Sequence, residues 1–162
     1  MKTIVILLTT LVASIFNSSE KNVEYYQDCN AELAVEKDRS FKSADEDGAS
    51  FTLILTNTSS KEATYTLSTR NLSEPCNNSY DKSTAANVNL NVSIQTNTLK
   101  GPSENKITLK SGQEYKFVVN VTVPKGTKYN TWSCIDVEAK SENCSAITKT
   151  RLSVFVPDPT EG

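Results

Sequence analysis

From Ala31 onward the chain alternates apolar and polar residues with a period of two. Phe51, Leu53 and Leu55 alternate with threonines, and Ala63, Tyr65 and Leu67 with threonines and a serine. Val88, Leu90, Val92 and Ile94 alternate with asparagines and Ser93. Tyr115, Phe117, Val119, Val121 and Val123 make one face of a long run. Ile135, Val137 and Ala139, then Leu152, Val154 and Val156, repeat the pattern. Shorter patches at Leu33–Val35 and Ile107–Leu109 bring the total to about eight strands. Each strand has one face to bury and one to wet, the pattern of two packed antiparallel sheets. The expected core holds Leu53, Leu55, Leu67, Val92, Phe117, Val119, Val121, Ile135, Val137 and Val154. By the same alternation Cys134, Asp136 and Glu138 point outward, with ordinary carboxylate pKa values expected.

Turn residues separate these runs. Asp45-Glu46-Asp47-Gly48 divides the first two strands, and Asn57-Thr58-Ser59-Ser60-Lys61 is expected to be a tight turn between the second and third. Gly112 lies in the turn before the long strand, and Pro124 and Gly126 follow it. Pro157 and Pro159 end the ladder, because proline lacks the N–H it needs. The polar interval from Asn71 to Asn87 is long, with Cys76 expected to tie it down. No helix of consequence, internal repeat or heptad is visible.

Composition narrows the chemistry. The chain carries 17 basic and 19 acidic residues, a net charge of −2, so it offers no electrostatic reason to bind nucleic acid or an anionic bilayer. It has no histidine, which removes His-based acid/base catalysis, the usual Ser and Cys hydrolases and nearly every zinc enzyme. Lys2 followed by a short apolar run to Phe16 reads as a secretory signal peptide over residues 1–18, too short for a membrane span. The expected organisation is then an N-terminal segment 19–30, one sandwich over 31–156 and a tail 157–162. A secreted, periplasmic or cell-surface location follows.

Four cysteines behind a signal peptide imply two disulfides. Cys134 and Cys144 flank a short polar stretch that looks like a hairpin tip, so we expect Cys134–Cys144, leaving Cys29–Cys76. The first pairing needs a wide loop or bulge near Ala139, since a tight turn at Ser141-Glu142 would carry Cys134 out of reach.

Short strands with regular turn signals and a single Trp suggest an all-β fold, one immunoglobulin-like antiparallel sandwich of about seven to eight strands. The Gly112 turn, the Tyr115–Val123 run ending at Pro124, and the corner Gly126-Thr127-Lys128-Tyr129 resemble Ig-like or fibronectin-type-III-like accessory domains of secreted bacterial proteins. Asn57-Thr58-Ser59 matches the end of the second strand in that family. The chain departs from antibody domains: its cysteines miss the two strands of the inter-sheet bridge, and Trp132 sits on a later strand. The resemblance implies a sandwich but not one activity, since such modules serve many roles.

Candidate sites are few. Asp45, Glu46 and Asp47 could offer oxygens to Ca²⁺, with Asp28 or Asp81 helping, though a solvated turn is the expected state. Trp132 and Tyr129, with Tyr25, Tyr26 and Tyr80, are candidates for stacking a glycan or small ligand. Asp136 and Glu138 share a strand face and could serve as a glycosidase pair, but nothing in their pattern activates them. Asn17, Asn57, Asn71, Asn77, Asn91, Asn120 and Asn143 begin Asn-x-Ser/Thr triplets, read mainly as composition. No catalytic residue, resident metal or cofactor is expected. The leading function is a non-catalytic exported module making structural or adhesive contacts with a protein or glycan at the cell surface. A glycan- or ligand-binding module comes second and an enzyme third. No nucleic-acid or membrane partner is expected after signal removal.

Overall fold

The computed structural model describes residues 29–77, 79, 85–96, 105–142 and 145–160. The expected signal peptide lies outside them. Among the described residues nine strands form two sheets: β1 (Ala31–Val35), β2 (Phe41–Ser43), β3 (Ala49–Asn57), β4 (Ala63–Leu72), β5 (Asn91–Gln95), β6 (Lys106–Leu109), β7 (Glu114–Thr122), β8 (Thr131–Ser141) and β9 (Ile147–Val156). One sheet has the order β1-β3-β7-β5 and the other β2-β9-β8-β4-β6. The only helix among the described residues is a 3-10 turn at Glu36–Asp38.

The alternation maps onto this sandwich directly. Phe51, Leu53 and Leu55 of β3 and Phe117, Val119 and Val121 of β7 face Tyr65, Leu67, Ile135, Val137, Leu152 and Val154 of the other sheet, all within one buried cluster. Val92 packs against that cluster but is only partly buried, because β5 is an edge strand. The strand beyond the expected count is β2. Its three residues are too few to show a period, and it runs parallel to β9 with Phe41 opposite Ser153.

Two local features lock the register. Gly48 holds φ +79°, and a Cβ there would stand 2.2 Å from the Val121 carbonyl oxygen, so β3 can approach β7 only with glycine at this point. Asn57 ends β3 fully buried. Its Nδ2 donates to the carbonyls of Lys61 (2.8 Å) and Leu109 (2.9 Å). Its Oδ1 accepts from Ser59 N (3.0 Å), Ser59 Oγ (2.6 Å) and Tyr65 Oη (2.9 Å). The expected tight turn at 57–61 is therefore a corner that carries the chain from one sheet to the other. Asn57 thus offers no amide for a glycan, although it begins an acceptor triplet.

The expected disulfides are corrected. Cys76 is bonded to Cys134, with Cα atoms 5.3 Å apart, so neither Cys134–Cys144 nor Cys29–Cys76 forms. The β8–β9 hairpin shows why. Lys140 pairs with Ile147, and Cys134 faces Ser153. Cys134 is thus six residues, about 20 Å, below the last pair before the hairpin turn, far beyond the ~4.4–6.8 Å that a disulfide spans. Cys29 is also disulfide-bonded; Cys144 lies outside the described residues.

Candidate functional site

A cleft of about 410 Å³ lies at one end of the sandwich. Three segments build it. The acidic turn contributes Ala44, Asp45 and Glu46; the β7–β8 loop contributes Pro124, Lys125 and Tyr129; the segment after β9 contributes Pro157 and Pro159.

Each wall is fixed by its own hydrogen bonds. In the acidic turn, Gly48 N donates to Asp45 O (3.0 Å) and Asp47 N to Asp45 Oδ1 (3.1 Å). In the loop, Thr127 donates to the Pro124 carbonyl through both N (3.1 Å) and Oγ1 (2.7 Å). Asn130 takes a left-handed φ of 53°, which asparagine tolerates better than most residues. Its N donates to Val156 O (2.7 Å) and its Oδ1 accepts from Asp158 N (3.3 Å), joining the loop to the C-terminal segment. Hydrogen bonds from the Thr160 side chain and backbone hold the Asp158 carboxyl below its ordinary range. Tyr129, beside this junction, stays 47% exposed and offers its ring to the cleft.

The structure brings Asp45, Glu46 and Tyr129 to one cleft but leaves Trp132 elsewhere. Asp45, Glu46 and Asp47 are exposed, and one Asp45 oxygen serves its own turn. Among the described residues no group of three carboxylate, thiol or imidazole side chains is arranged to hold a metal ion. Asp28, Tyr25, Tyr26, Tyr80 and Asp81 lie outside the described residues.

Trp132 belongs to the outer face of the five-stranded sheet. Its ring lies 5.4 Å from Phe41 and 5.1 Å from Phe155, in a tilted row of half-buried aromatics. This is the geometry of rings packing one another, so Trp132 is not a free stacking platform.

Beside it, Cys134 and Asp136 do point outward, as alternation requires, yet both are buried. The crossing segment after β4 covers Cys134 through the disulfide, with Val88 N donating to Trp132 O (2.9 Å). Asp136 is covered by cations from the flanking strands. Arg151 donates from Nε to Oδ1 (2.9 Å) and from Nη2 to Oδ2 (3.4 Å). Arg70 Nη2 lies 3.5 Å from the same Oδ2 and 3.7 Å from Glu138, and Lys149 is 3.9 Å from Oδ2. Burial pushes the Asp136 carboxyl up, but the Arg151 hydrogen bond and the charges of Arg151, Lys149 and Arg70 outweigh it and hold the group below its ordinary value. The expectation of an ordinary, water-facing Asp136 is thus corrected: its neighbours desolvate it and pair it. Such a carboxylate stays ionised and is no general acid. Arg70 and Arg151 escaped sequence reading because they sit in unremarkable outward positions. Only the register places them opposite Asp136.

None of the curated proteins matches the chain. A family 123 glycoside hydrolase from Clostridium perfringens is similar in structure, with TM-score 0.51 and 13% identity over 80% of this chain. The chain spans 28% of that enzyme's length, and at this identity the likeness concerns the fold alone. The PapD-like domain 7 of human CEP192 gives TM-score 0.46, 13% identity, and coverage of 94% of this chain and 97% of that one. A FixG-related protein from Vibrio parahaemolyticus gives 0.44, 9%, 80% and 96%. The model of the Fn3-like domain family matches residues 39–146, which run from just before β2 to the residue before β9. With well over half of its length matched, and with the two-sheet sandwich described above, the chain belongs to the Fn3-like domain family.

Proposed function

We propose that this Fn3-like chain is an exported, non-catalytic contact module, whose working surface is the end cleft around Tyr129. The observation that carries the reading is the composition of that cleft. An exposed tyrosine and three prolines, Pro124, Pro157 and Pro159, form rigid apolar walls, with Lys125 and Glu46 as charged margins. Rigid aromatic and proline surfaces bind at low entropic cost. The chain has no histidine to run acid/base chemistry beside them. Export rests on the apolar run behind Lys2 and on the disulfides, which persist in oxidising compartments.

The test has two parts. Fractionation of the producing cell, with N-terminal sequencing, is expected to recover an exported chain starting between Ser14 and Ser19. Labelled chain is expected to bind intact producer cells saturably, and Tyr129→Ala to weaken binding about tenfold, as for an interface anchor, without lowering Tm. Retention in the cytoplasm, or equal binding by the variant, refutes the proposal.

A second reading has its own support. A cleft of about 410 Å³ falls within the ~300–1,000 Å³ typical of small-ligand sites. In that reading Tyr129 stacks a sugar ring. Glycan-array binding that Tyr129→Ala abolishes favours it over protein contact.

A further inference from the structure

The outer face of the five-stranded sheet carries a different surface, independent of the end cleft. By register, Arg70 on β4, Lys106 on β6, Lys140 on β8, and Lys149 and Arg151 on β9 all lie on this face. Among the described residues on this face they meet three carboxylates, Asp136, Glu138 and Glu142, so these side chains leave an excess of positive charge on a chain whose net charge is −2. The cations form two centres. One surrounds Asp136. The other is Lys106 on Glu142 (2.7 Å), with Lys140 near the top of β8. Asp136 and Lys140 are four residues apart on one strand, about 13 Å.

The first centre is pre-organised. Asp136, 1% exposed, grips both guanidinium groups from beneath. The two Nη2 atoms, 3.5 and 3.4 Å from the same Oδ2, are therefore no more than about 7 Å apart, a span that one carboxylate accepting at about 2.8 Å on each side can bridge. Outward, Arg70 remains 62%, Lys149 58% and Arg151 42% exposed, leaving donors for a ligand. A buried carboxylate that fixes two arginines spares much of the entropy of immobilising them on binding.

We propose that this face binds an extended acidic polysaccharide of the polyuronate type, with one carboxylate on the Arg70–Arg151 pair and another near Lys106 and Lys140. Spaced cations interrupted by Glu138 and Glu142 suit spaced carboxylates and repel a densely charged polyanion such as duplex DNA. The strip between the centres presents the hydroxyls of Thr66, which donates to Glu142 (3.1 Å), and of Ser68. These hydroxyls complement those of a sugar chain.

The purified chain is titrated calorimetrically with polygalacturonate, neutral dextran, dextran sulfate, poly-glutamate and duplex DNA, at low and high salt. Polygalacturonate is expected to bind at low salt and to weaken about tenfold at high salt as screening grows, with dextran inert. The double variant Arg70→Gln/Lys149→Gln removes exposed cations and leaves Arg151 on Asp136. It is expected to weaken binding at least about tenfold with Tm changed by less than about 2 °C. Lys116→Gln, which removes a cation from the opposite sheet, leaves binding unchanged. The proposal is overturned if polygalacturonate does not bind, if the double variant binds as well as wild type, or if dextran sulfate, poly-glutamate or DNA binds as tightly as polygalacturonate.

Discussion

Replacing Asn57 with alanine is expected to be among the costliest single changes in this chain. The side chain makes five hydrogen bonds at a fully buried corner between the two sheets. After truncation Ser59 Oγ keeps its bond to Lys61 O at 2.9 Å, so part of the network survives. Ser59 N and the Leu109 carbonyl lose the amide, and Tyr65 Oη falls back on Asn30 O at 3.5 Å. Three weakened groups at about 1–1.5 kcal/mol each, low in the range for buried polar atoms, give about 4 kcal/mol. A typical domain has only ~5–15 kcal/mol in total. Urea unfolding followed by Trp132 fluorescence measures the change, with Asn120→Ala as a surface control expected to cost less than about 1 kcal/mol. Asn57→Asp keeps the shape but loses both donors and buries a charge, so it is expected to cost at least as much. A loss below about 1.5 kcal/mol for Asn57→Ala, at unchanged m-value, would show that the corner is not held this way.

Non-reducing peptide mapping is expected to recover a Cys76–Cys134 cross-link, with Cys29 joined to the remaining cysteine, Cys144. Removing the first bridge as Cys76→Ser/Cys134→Ser frees a loop of separation 58 and is expected to cost about 4 kcal/mol. Asp136 titrates below its ordinary value in the folded chain, so its contribution is present at neutral pH and lost as pH falls below the ordinary aspartate range toward that lower value. Acid-unfolding curves of wild type and Asp136→Asn are therefore expected to converge at low pH, the variant being less stable above. Gly48→Ala is expected to cost several kcal/mol through its backbone clash, whereas Gly126→Ala, at positive φ with open space around it, costs only about 1–2 kcal/mol; equal Tm losses would contradict this.

The faces of the long strands were legible because burial on one side imposes a two-residue period. Phe117, Val119 and Val121 show it without exception. The period says nothing about what covers the outer side. Cys134 and Asp136 read as solvated and turn out buried, one under the segment tied down by Cys76 and the other under arginines from neighbouring strands. A period also cannot say which sheet a residue belongs to. Val88 to Ile94 alternate as one run, yet Val88 donates to Trp132 of the five-stranded sheet while Asn91 pairs with Thr122 of the other. Of the candidate site, Tyr129, Asp45 and Glu46 were visible as residue types. Their meeting in one cleft depends on the Asn130 junction, a long-range fact of the fold.

The strand order has a kinetic consequence. Among the described strands, β8 and β9 alone are neighbours both in sequence and within a sheet. Every other pairing joins segments separated by at least one further strand or by a crossing between sheets, so the search for native contacts is dominated by slow closure of long loops, on the order of milliseconds to seconds for such topologies. The five-stranded sheet cannot assemble before residues 131–156 exist, because β8 and β9 form its centre. Until then β1, β3, β5 and β7 have no second layer on which to bury their apolar face. The two-layer sandwich can therefore close only after β8 and β9 have been made.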